Sequence, residues 1–158
     1  MFPSRYLWIF LFVIFFVLEL TLARNIVFFQ TSPDLMLILV VFAGLRQGIL
    51  YGAILGFAGG LTKDIFFSAF PGLGAFSLTL IGSLSGLFSR RIFYQNVFLQ
   101  VLIIFIATFL KMALANRLLI IIHHSPYDVK AVISQAFYNA LLTPALFYLL
   151  ESIFKNKR

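Results

Sequence analysis

The stretch GILYGAILGFAGG, from Gly48 to Gly60, sets glycine at positions 48, 52, 56 and 60 inside an otherwise apolar run. Spacing by four puts these residues on nearly one line of an α-helix. Without side chains there, a neighbouring helix can approach closely enough for dispersion and Cα–H···O contacts. Gly82 and Gly86 repeat the spacing in the next apolar segment. That repetition favours a hairpin of consecutive helices packed through their glycines over a contact between separate chains.

The surroundings of such a hairpin follow from composition. Of 158 residues, 62% are hydrophobic, 18% aromatic and only 11% charged, against roughly 25% charged in an ordinary soluble domain. Lipid is the solvent this chain expects. A helix needs about 20 apolar residues to cross the hydrocarbon, so the length accommodates six helices and no separate extramembrane domain. The apolar segments run over residues 6–23, 33–45, 49–67, 72–88, 96–122 and 129–154. The expected architecture is all-α: one polytopic membrane domain of six transmembrane helices. The second segment is short, and either residues 25–30 extend it or it sits in a thinned site.

Cations mark alternate breaks between the segments. Arg5, Arg46, Arg90, Arg91, Lys155, Lys157 and Arg158 fall on one side, seven against the three of Arg24, Lys63 and Lys130 on the other. Cytoplasmic loops accumulate Lys and Arg, so both chain ends are expected in the cytoplasm. The first segment superficially resembles a signal peptide, but Glu19 within it and Arg24 directly after it favour a retained helix. A formal charge of +7 would suggest nucleic acid in a soluble protein. Here orientation and anionic lipid account for it, and no nucleic acid partner is expected.

Chemistry is scarce. There is no Cys, which excludes disulfides and thiolate metal sites. No H-E-x-x-H, P-loop or nucleophile elbow occurs, and adjacent His123 and His124 diverge on a helix. No enzyme activity, cofactor or metal is expected. Ser32-Pro33-Asp34 opens the second segment, with Asp34 suited to the positive end of a helix. Asp64 ends the third segment beside Lys63, which it does not face. Either it meets water or its carboxylate turns inward to the amides near Gly72 and Gly74. Lys111 is deep enough to need a partner, and an interhelical contact is favoured over a transport relay. Gln135, Asn139 and Thr143 form a polar stripe on the last segment.

The order Pro33-Asp34-Leu35, Leu45-Arg46-Gln47-Gly48, Gly52, Gly56, Gly60, Asp64, Gly72-Leu73-Gly74-Ala75, Ser77-Leu78-Thr79, Gly82 and Gly86 resembles the rod shape-determining MreD family over about residues 33–91. The resemblance implies an inner-membrane component of the cell-wall elongation machinery, partnering the bitopic protein MreC and other membrane proteins of peptidoglycan synthesis. It also implies a fold like the substrate-binding subunits of energy-coupling-factor transporters. Under it, Asp34, Arg46 and Asp64 are structural charges, and Arg90, Arg91, Lys155, Lys157 and Arg158 address cytoplasmic partners or lipid. The chain departs from the family pattern at Lys63, Lys111 and His123-His124. The rival reading is a small-molecule carrier or its binding subunit, for which a polar site at mid-membrane would be the mark.

Overall fold

The computed structural model describes residues 3–25, 32–67, 71–88, 96–123 and 129–155. These form six helices and no strand: α1 (Pro3–Asn25), α2 (Leu35–Gln47), α3 (Ile49–Phe67), α4 (Leu73–Leu87), α5 (Val97–His123) and α6 (Val129–Lys155). Among the described residues, stretches of α3, α5 and α6 are long and apolar enough to cross a membrane, and α1, α2 and α4 contain shorter apolar helices.

Helix α2 is the axle of the bundle. Every residue from Leu35 to Leu45 is buried, as suits a helix apolar on all sides, and α1, α3, α4, α5 and α6 all pack on it. This resolves the puzzle of its length. Its thirteen residues rise only about 20 Å, and protein rather than lipid surrounds them. Of residues 25–30, the possible extension, Asn25 ends α1 instead and the others lie outside the described residues. Pro33 precedes the helix rather than opening its first turn, and Asp34 is the N-cap.

The outer helices are two-faced. On α1, Trp8, Leu11, Phe15 and Glu19 point inward at helical spacing while Tyr6, Ile9, Phe10, Val13 and Val17 are exposed. On α6, Phe137, Leu141 and Tyr148 face out. In water, burying one Leu would contribute about 1.5–3 kcal/mol, but between helices in lipid that driving force vanishes. Close packing and polar bonds must therefore hold this bundle together.

Candidate functional site

The glycine seam joins α3 to α4, the most extensively packed pair of helices. A Cβ built on Gly52 would fall 2.7 Å from the carbonyl carbon of Gly82, and one on Gly56 would fall 2.7 Å from that of Leu78. At Gly60 it would meet the Ala75 amide at 2.5 Å, and at Gly86 the Gly48 carbonyl carbon at 2.6 Å. Backbone cannot yield as a side chain can, so glycine is required at these contacts. Gly44 on α2, which spacing alone did not single out, belongs with them: its Cβ would lie 2.6 Å from the Gly82 carbonyl oxygen. Gly48 needs correction. A Cβ there would touch nothing, and its φ of +96° explains the residue instead, as a left-handed turn between α2 and α3.

Asp64 takes the inward arrangement. Its carboxylate accepts from the amides of Gly72 at 2.8 Å, Gly74 at 3.0 Å and Ala75 at 3.0 Å. Those amides open α4 and have no intrahelical partner. Gly72, at φ +107°, turns the chain into position.

The same problem at the start of α2 is solved by Asp34 itself and by side chains from α1 and α6. Asp34 Oδ1 accepts from the Leu37 amide at 3.0 Å, Glu19 Oε2 from α1 accepts from the Met36 amide at 3.1 Å, and Asn139 Oδ1 from α6 accepts from the Asp34 amide at 2.7 Å. Two buried carboxylates then need countercharge. Lys63 from α3 supplies it to both, at 2.5 Å from Glu19 Oε1 and 2.9 Å from Asp34 Oδ1, and Lys111 from α5 pairs with Asp34 Oδ2. Asn139 Nδ2 also donates to Thr108 Oγ1 at 3.0 Å. Glu19, Asp34, Lys63 and Lys111 thus form a neutral quartet from four helices.

Reading the sequence residue by residue missed this quartet. Lys63 and Lys111 stand in the sequence as departures from the family pattern, and the interhelical partner expected for Lys111 is Asp34. Depth along the helices was the available signal: Asp34 lies thirteen residues before Gln47, Lys63 fourteen after Ile49 and Lys111 fourteen after Val97.

The opposite end of the bundle is basic and aromatic. Trp8 packs on Phe154 at 4.8 Å between ring centroids, and the Arg46 guanidinium sits 4.6 Å from the Phe154 ring. Lys155 is exposed at the end of α6. Arg90, Arg91, Lys157, Arg158 and His124 lie outside the described residues. Between α4 and α5, a groove of about 300 Å³ is lined by Leu45, Ile81, Leu84, Ser85, Ile103 and Ala107 among others. No group of His, Cys, Asp and Glu placed to hold a metal occurs among the described residues.

These features, a glycine-packed hairpin, two helix starts capped by carboxylates and a predominantly apolar exterior, describe a protein built for the membrane. No curated protein and no solved structure matches the chain. The sequence model of the rod shape-determining protein MreD matches residues 4–157, nearly the full length, and the chain therefore belongs to the MreD family.

Proposed function

We propose that this protein is a non-enzymatic, six-span component of the inner membrane that serves rod-shape determination as a helix-binding scaffold. The family match over residues 4–157 carries the reading. The geometry supports it, because the described helices spend their polar groups on one another, and what they present outward is apolar surface for lipid or for other helices. Both chain ends face the cytoplasm in this reading. Lys155, with Arg90, Arg91, Lys157 and Arg158, addresses anionic lipid or cytoplasmic partners.

The partner proposed is a bitopic protein of the MreC type, with further membrane proteins of peptidoglycan synthesis. Gentle solubilisation of a tagged chain should bring down a single-span partner in fixed proportion, and depletion should turn rod-shaped cells round while nutrient uptake continues. Normal cell shape after depletion would overturn the proposal. Recovery of an ATPase module with a stoichiometric small ligand would replace it with the carrier reading.

A further inference from the structure

Helix α6 is interrupted by Pro144, which lies inside its twenty-seven residues. Proline has no amide proton, so the Ala140 carbonyl loses its helical donor, and the ring crowds the turn before it. Kinks above about 20° gather at such residues. Directly before it, Thr143 Oγ1 donates back to the Asn139 carbonyl at 2.5 Å, a bond that itself bends helices. The weak point of α6 therefore falls between residues 139 and 144.

The two halves of the helix are held in different ways. Before Pro144 the ties are directional: Gln135 Nε2 donates to the Ser32 carbonyl at 3.1 Å, and Asn139 accepts from the Asp34 amide and donates to Thr108. Beyond it, ring contacts dominate. Phe147 meets Phe42 edge-on at 5.2 Å between centroids, and Phe154 lies 6.1 Å from Phe42 and 4.8 Å from Trp8. Such contacts carry no hydrophobic gain over lipid, and rings can slide on one another where a hydrogen bond fixes atom on atom. Two buried polar atoms at this end are also unsatisfied among the described residues: Trp8 Nε1 is a donor without an acceptor, and Glu151 Oε1 an acceptor without a donor. Both flank one ring. Trp8 packs on Phe154, and Glu151 stands one turn before Phe154 on the same face of α6. Leaving either atom buried and unbonded is costly, and one movement answers both.

We infer that residues 145–155 swing about Pro144 between the position described and a second one, in which Trp8 Nε1–H donates to the Glu151 carboxylate. A bend of about 20° over the rise of about 16 Å from Pro144 to Lys155 moves the tip by about 6 Å. The switch displaces Lys155 while the hydrogen-bonded half of α6, and the quartet with it, stays in place. It stands apart from the scaffold reading, and its failure leaves that reading intact.

The full chain in nanodiscs tests the inference. It has no Cys and one Trp, so spin labels can be placed on introduced cysteines without background. Labels at Leu87→Cys and Ser152→Cys, exposed positions near the ends of α4 and α6, should give two distances up to about 6 Å apart by pulsed electron paramagnetic resonance. Leu87→Cys with Phe137→Cys, an exposed position before the hinge, should give one. Pro144→Ala returns the amide proton and should leave the first pair with a single distance. Trp8→Phe and Glu151→Leu should each deplete the second position about fivefold, and Glu151→Gln, which keeps an acceptor, should retain it. A single distance for the Leu87–Ser152 pair in the otherwise unaltered chain, two that persist in Pro144→Ala, or two that are indifferent to both Trp8→Phe and Glu151→Leu would overturn the inference.

Discussion

The Asp34 amide donates to Asn139 Oδ1 at 2.7 Å, tying the start of α2 to the middle of α6 across 105 residues of chain. Both groups are fully buried, so neither can turn to water if the other is lost. Asn139→Leu should lower stability by about 1–3 kcal/mol, the cost of a buried orphan donor. Thr108→Val, which removes only the acceptor of the Asn139 side-chain amide, should cost less. Thermal unfolding in detergent ranks the two, and equal losses would show that the Asp34 amide has another acceptor.

The quartet predicts a compensating pair. Asp34→Asn keeps an oxygen to cap Leu37 but takes the carboxylate from Lys111 and leaves Lys63 with Glu19 alone, and Lys111→Met leaves Asp34 with Lys63 alone. Each single change should destabilise by about 3–5 kcal/mol, as breaking one side of a buried ion pair does. Asp34→Asn combined with Lys111→Met should recover a large part of that loss. Strictly additive losses in this cycle would show that the two residues do not depend on one another.

The glycine seam sets backbone against backbone, so its substitutions should rank by what the new carbon meets. Gly56→Leu should disrupt the α3–α4 hairpin and reduce membrane levels more than Leu55→Ala, which only opens space. Gly44→Ala should cost more than Gly59→Ala, because Gly59 has only side-chain atoms nearby, Met36 Sδ at 3.5 Å and Phe12 Cε2 at 3.6 Å. Blue-native migration and membrane levels are the readouts.

Asp64 satisfies three amides that open α4. Asp64→Leu should therefore lower the melting temperature more than Asp128→Leu, with Asp64→Asn between them, since one amide oxygen still accepts. Equal melting of all three variants would show those amides solvated.

Orientation is open to reporter fusions. Tags before Met1 and after Arg158 should report the cytoplasm, and one inserted near Ser125 the opposite side. A C-terminal tag on the far side would require an odd number of crossings.

What the sequence made legible was what is local in it. The α3–α4 hairpin shows in a glycine period of four, and Asp64 lies only eight residues from its first amide partner at Gly72. The quartet joins residues 29, 44 and 77 positions apart. Taken singly, Glu19 reads as a charge within the first apolar run, Lys63 as a charge at the end of the third, and Lys111 as a cation that needs a partner no local pattern names. Only a shared depth relates them, and depth becomes readable once the helices are known to stand side by side. Gly48 was misread for the converse reason. It falls on the four-residue period by position, but a turn with positive φ fixes it, and periodicity cannot separate the two causes.

The reach from α2 to α6 also dictates an order of assembly. The α3–α4 contacts join neighbours in sequence and can form as soon as both helices have left the ribosome. The start of α2 cannot be finished then: Lys111 arrives with α5, and Asn139 only with the last helix. Until α5 is in place Lys63 alone serves both Glu19 and Asp34, and until α6 is in place the Asp34 amide lacks its acceptor. The most buried helix is thus the one whose polar partners are the last to be synthesised.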